Sequence, residues 1–156
     1  NMKLSKKRAE AVRDLMVNEF GVPASQLKVD YKGAVVGNST ELKNAVLFNK
    51  VQVPHYNYVG DSVLGFKSHM GAGSICSNVK SDKKLVVVKD GEEKIETGLK
   101  KFGAMLADHV EVGCGSVLNP GTVIGRNCNI YPLSPVRGCI HADSIYKNAS
   151  EIVKKQ

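Results

Sequence analysis

Between residues 106 and 136 an apolar side chain falls on every sixth position: Leu106, Val112, Leu118, Ile124, Ile130 and Val136. Four places after each of the first five stands a small or β-branched residue, namely Val110, Ser116, Thr122, Cys128 and Ser134. Directly after the apolar position comes Ala107, Gly113, Asn119, Gly125 or Tyr131. A period of six matches neither an α-helix at about 3.6 nor a single strand at about 2. It is the period of a β-helix in which each hexad supplies one short strand and one turn, and three hexads close a triangular coil. The apolar residue then points to the coil axis and the small residue fits beside it. Gly or Asn is expected at the tight corner.

The pattern reaches back along the chain through Val36, Leu42, Leu47, Val53, Val59, Leu64 and Met70 at spacings of five or six, so the early coils are slightly short. It is lost over residues 79–101. There two short strands, 85–88 and 92–95, are expected to flank a type I′ turn at Asp90-Gly91. Such an insertion leaves a corner without breaking the stack. After Val136, residues 144–155 are expected to form a helix over the open end, anchored by Ile145, Ile152 and Val153, because an uncapped end exposes unpaired backbone. The expected fold is mainly β: a parallel β-helix with an N-terminal α-helix, an extruded hairpin loop and a short C-terminal helix. Residues 34–156 form the β-helical unit and residues 1–33 stand outside it.

Composition narrows the partners. No apolar run approaches the roughly 18 residues that a membrane helix needs, so membrane insertion is not expected. The N-terminus is basic but leads into an amphipathic segment with no apolar block, so no signal peptide is expected and a cytoplasmic setting follows. The net charge of +7 suits anionic small molecules such as phosphates, or simply solvates the surface. None of the four Cys forms a C-x-x-C pair, so neither zinc nor another metal is expected.

Residues 4–20 read as an amphipathic helix with Ser5 as N-cap and Ala9, Val12, Leu15, Met16 and Phe20 on one face. Gly21 ends it and Pro23 prevents its continuation. Asn1, Leu4, Ser5, Arg8, Ala9 and Val12 match an N-x-x-L-S-x-x-R-A-x-x-V helix. The segment therefore resembles the end of an OmpA-like peptidoglycan-binding domain. The resemblance implies that Arg8 grips a peptidoglycan carboxylate, together with an upstream Asp that these residues do not include.

The chemistry concentrates between residues 52 and 82. His55 breaks the hexad beside Pro54, where an imidazole can face outward from a corner. Tyr58 follows three positions on, then the corner Val59-Gly60-Asp61. Gly71-Ala72-Gly73 lets a ligand meet backbone N–H groups, and Asn78 opens the lysine-rich loop. With Gly37-Asn38, Glu41-Leu42-Lys43 and Phe102-Gly103, this block resembles the acetyltransferase domain of bifunctional sugar-1-phosphate nucleotidyltransferases, including the glucosamine-1-phosphate N-acetyltransferases. The resemblance implies a left-handed parallel β-helix that assembles as a homotrimer, uses acetyl-CoA as co-substrate and takes a small amino-sugar phosphate, with no nucleic acid. It implies His55 as general base, Lys43 on the sugar phosphate, and Tyr58 and Asn78 on the sugar. Ala72 and Ala104 would lie along the acetyl-CoA, and Lys83 or Lys84 would meet phosphates. The chain departs from the family in lacking the arginine coil before Gly37, in carrying Ala104 where better-known members have Ser, and in its longer loop. No Gly-rich nucleotide loop precedes the repeat, so uridylyl transfer is not expected. A non-catalytic trimeric scaffold and an envelope-bound module using Arg8 are the alternative readings.

Overall fold

The computed structural model describes residues 33–156 together with Asp14 and Asn18, which are helical and exposed. The remainder of the helix expected over residues 4–20, with Arg8, lies outside the described residues.

The hexads fold as a three-sided parallel β-helix. The first coil is β1 (Val35–Asn38), β2 (Glu41–Lys43) and β3 (Val46–Leu47); the second is β4 (Gln52–His55), β5 (Tyr58–Gly60) and β6 (Val63–Leu64). In the third, β7 (His69–Met70) and β8 (Ile75–Cys76) are followed by an arm of two strands, β9 (Val87–Asp90) and β10 (Glu93–Glu96), before β11 (Ala104–Leu106) completes the turn. The fourth coil is β12 (Glu111–Val112), β13 (Val117–Leu118) and β14 (Thr122–Ile124); the fifth is β15 (Asn129–Ile130), β16 (Pro135–Val136) and β17 (Cys139–Ile140). The first, second and third strands of each coil stack into three separate parallel sheets, the faces of a prism. Val35 pairs with Gln52 and Glu41 with Tyr58 in the short early coils, whereas Glu111 pairs with Asn129 in a full-length later one.

Burial follows the period. Leu106, Val112, Leu118, Ile124, Ile130 and Val136 are at most 3% exposed, and the small residues beside them are buried as well. Those small residues have a polar task. The hydroxyls of Ser74, Thr122 and Ser134 donate to the carbonyls three places back, Gly71, Asn119 and Tyr131, at 2.7 Å, which closes each corner. Among the described residues no buried side-chain polar atom lacks a partner.

Glycine's task differs from the expected one. The left-handed backbone falls two or three places after the apolar residue, on Tyr56 (φ 52), Lys67 (φ 56), His109 (φ 58) and Leu133 (φ 58) as well as on glycines. Where glycine directly follows the apolar residue, it does so because the next coil passes close over it. A Cβ on Gly113 would lie 2.4 Å from the Pro132 nitrogen, and one on Gly37 only 1.7 Å from the Pro54 carbonyl oxygen.

Two further expectations are corrected. The arm is a hairpin, but its turn is Gly91-Glu92, with Asp90 paired to Glu93, and Gly91 alone of the two has positive φ (55). A type I′ turn needs positive φ at both central residues; glycine at the first alone is the II′ requirement. Nor does a helix cap the C-terminal end. β18 (Ser144–Asn148) continues the first face, with Ile145 beside Asn129 and Tyr146 beside Ile130, and β19 (Glu151–Lys154) folds back antiparallel on it. Tyr146 fills the next inward position at 3% exposure. Ile145, Ile152 and Val153 are β-branched and favour the strand.

Candidate active site

His55 closes β4 at the corner between the first and second faces, and it is exposed. Pro54 before it has no N–H, so β4 meets β7 through Gln52 and His69 alone. The His55 backbone is held instead by Asn57: its N–H donates to Asn57 Oδ1 at 3.1 Å, while its carbonyl accepts from Gly73 N–H at 3.0 Å. Asn57 is 3% exposed, and its amide donates to the Gly71 carbonyl (2.8 Å), the Ser74 carbonyl (3.2 Å) and the Ser74 hydroxyl (3.1 Å). Asn57 thus ties the histidine corner to the glycine corner of the next coil. Sequence reading missed it; its signal was an amide at the position where the other coils carry Ser or Thr.

Ala72 lies in that next coil, exposed, and its carbonyl accepts from Gly115 N–H at 2.9 Å. The N–H groups of Gly71 and Gly73 go to Val112 and His55 carbonyls, whereas the Ala72 N–H has no backbone acceptor among the described residues. The edge below His55 therefore carries, at an exposed residue, a backbone donor with no backbone acceptor among the described residues. One coil further on stands Cys114, whose nitrogen would lie 2.6 Å from a Cβ on Gly71.

Across the second face the structure brings Lys43, Tyr58 and Asn78 together around Gly60. Lys43 pairs with Gly60, and a Cβ there would sit 2.6 Å from both the Tyr58 hydroxyl and the Asn78 amide nitrogen. Lys43 is exposed and Tyr58 half-buried, while Asn78 is 7% exposed. Asp61 organises the corner by accepting from Asn78 Nδ2 at 2.5 Å and from Asn44 Nδ2 at 3.2 Å. One carboxylate thus clamps amides from the coils on either side.

Ala104 does not join Ala72. It is fully buried at the start of β11, on the third face, and its N–H donates to Ser62 Oγ at 2.9 Å. The coil position beneath Ala72 belongs to Cys114, whose neighbour Gly115 donates its N–H to the Ala72 carbonyl. Lys83 and Lys84 are exposed on the approach to the arm, where the Lys84 N–H donates to Asp82 at 3.0 Å. That bond leads the effects that hold the Asp82 carboxyl below its usual range. Neither lysine lines the cleft under the arm, which is bordered instead by Lys80, Lys89, Lys94 and Arg137. Among the described residues no cluster of His, Cys, Asp and Glu could hold a metal ion.

A three-sided hexapeptide β-helix with an outward histidine at one corner is the architecture that the sequence resemblance implied. Over 120 residues the chain is 37% identical to the bifunctional protein GlmU of Methanococcus aeolicus, a match covering 76% of this chain and 29% of that protein. Over 97 residues it is 37% identical to a bifunctional sugar-1-phosphate nucleotidylyltransferase/acetyltransferase of Sulfurisphaera tokodaii, covering 62% and 24%. The chain is homologous to the acetyltransferase segment of these bifunctional GlmU-type proteins. It spans less than a third of their length. Among solved structures, it aligns with the acetyltransferase domain of PglB from Neisseria gonorrhoeae in complex with acetyl coenzyme A, at TM-score 0.48 and 12% identity, covering 91% of this chain and 66% of that one. The OmpA family matches residues 1–45 and so runs past Gly33 through β1 and β2.

Proposed function

We propose that the chain transfers an acetyl group from acetyl-CoA to the amine of an amino-sugar 1-phosphate. One observation carries the reading: along a single coil edge, an exposed His55 stands beside an exposed Ala72 whose N–H lacks a backbone acceptor among the described residues.

The amine attacks the thioester carbonyl as its free base. His55 takes the amine proton as the C–N bond forms, a task for which a neutral imidazole is suited near pH 7. The carbonyl oxygen becomes an oxyanion, and the Ala72 N–H donates to it. Collapse of the tetrahedral intermediate breaks the C–S bond, and the CoA thiolate leaves and takes up the proton that His55 holds. Lys43 provides charge for the sugar phosphate, with Tyr58 and Asn78 on the sugar hydroxyls and Lys83 or Lys84 as mobile charges for phosphates. The test is thiol release from acetyl-CoA across a panel of amino-sugar phosphates. Release stimulated by one of them supports the reading, and release no faster than hydrolysis with every acceptor defeats it. The flat faces suit a homotrimer with the site between subunits, for which light scattering should give three times the chain mass.

The OmpA match at residues 1–45 favours a second reading, in which Arg8 holds the chain to peptidoglycan. Retention on peptidoglycan that Arg8→Ala abolishes would establish it, and a wild-type chain that is not retained would dispose of it.

A further inference from the structure

We infer that the cleft beneath the inserted arm is a binding site for a nucleoside diphosphate group, separate from the His55 corner. The cleft is built by packing. Val86 at the foot of the arm is fully buried, and β9 runs beside β14 and β17. The tip is pinned where His141 Nε2 meets Asp90 Oδ1 at 3.0 Å. Gly121 (φ 82) and Gly138 (φ 75) hold the corners beneath it, and a Cβ on either would crowd an arm carbonyl, Val87 O at 2.9 Å and Lys89 O at 3.1 Å. The same corner in the upper coils carries the side chains of Asn44 and Asp61. The arm therefore lies where the prism has been stripped to receive it.

The space left has a volume of about 1030 Å³, close to the upper end of the range for small-molecule pockets, about 300–1,000 Å³. Its charge is one-sided. Lys80, Lys89, Lys94 and Arg137 face it against the single carboxylate of Asp82. Lys80 already engages Asp82 at 3.2 Å, and among the described residues no ion pair engages the other three cations. Arg137 stands on the prism wall while Lys89 and Lys94 stand on the arm, so an anion between them is met from both sides. A guanidinium fork opposite two ammonium groups suits adjacent phosphates. Val79, Val87 and Pro120 add apolar lining, which a bare phosphate does not need and a nucleoside does.

Two sources share this chemistry: the ADP portion of coenzyme A and the diphosphate of a nucleotide-sugar. Calorimetric titration of the whole chain with ADP, UDP and CoA, with no acyl acceptor present, separates them. Binding should weaken as salt rises, and Arg137→Gln and Lys94→Gln should each weaken it about tenfold or more, as expected for lost charge-assisted bonds. CoA displacing ADP assigns the cleft to the acyl donor; UDP binding that CoA does not displace assigns it to a nucleotide-sugar. No binding of any probe, binding unchanged in both variants, or pyrophosphate binding as tightly as ADP overturns the inference. Both variants are at exposed positions, and their melting curves should superimpose on that of the wild type. His55→Ala should bind nucleotide normally, so failure of the cleft and failure of the transfer reading are separate results.

Discussion

Asn57→Ala removes the tie between the histidine corner and the coil beneath it, and the structure sets the size of the effect. The amide has two hydrogens, shared among the Gly71 carbonyl and the Ser74 carbonyl and hydroxyl, and its oxygen accepts from the His55 N–H. The Gly71 carbonyl keeps the Ser74 N–H at 3.1 Å and hydroxyl at 2.7 Å, so it is not orphaned. The His55 N–H has no other partner among the described residues. Loss of about two net hydrogen bonds at about 1 kcal/mol each, with about 1–2 kcal/mol for the stranded donor, gives about 3–4 kcal/mol. For a chain of this size that lowers the melting midpoint by about 6–16 °C. Circular dichroism on heating reads it, and the transfer rate should fall with it because the corner that aims His55 has lost its anchor. A midpoint within about 2 °C of the wild type, with unchanged transfer, would show that Asn57 does not hold this corner.

Gly37→Ala should be worse than an ordinary glycine substitution, since its Cβ would meet the Pro54 carbonyl at 1.7 Å and must displace the strand that ends in His55. A loss of stability of about 2 kcal/mol or more in urea unfolding is expected, and a neutral result would mean that the first coil yields freely. Burial pushes the Cys76 thiol up to about 12 from 9.0, against a smaller opposing effect of a hydrogen bond with Ser62. The native state therefore holds this proton where the unfolded chain releases it. Stability from this group is complete below about pH 9 and declines by about 1.4 kcal/mol per unit above it. Cys76→Val should remove that part of the alkaline slope, and an unchanged slope would refute the assignment.

The stack was legible because a six-residue period reports one thing, an inward side chain per strand, and the inward positions from Val53 to Val136 are buried as that period requires. Where the period needs a neighbour it misleads. Val36 and Leu42 keep the hexad but are 46% and 37% exposed, since among the described residues the first coil has a coil on one side only. The C-terminal segment was misread as a helix because its hexad shortens. Only the inward Tyr146, in register with Ile130, shows that the sheet continues. Of the candidate site, His55, Tyr58, Ala72 and Asn78 stand out as residues that break or decorate the repeat, whereas Lys43 enters through the family resemblance. Asn57 and Asp61 work through hydrogen bonds between coils, which linear spacing does not display. Ala104 entered through the resemblance alone, and its burial on the third face is a matter of coil register across the inserted arm, which linear order does not display.

The account rests most heavily on proton removal by His55, and the direct measurement is the rate of acetyl transfer to glucosamine 1-phosphate by His55→Ala beside the wild type. A lost general base lowers kcat by about 10²–10⁴-fold, with folding and nucleotide binding intact. Wild-type turnover by the His55→Ala protein would contradict the account.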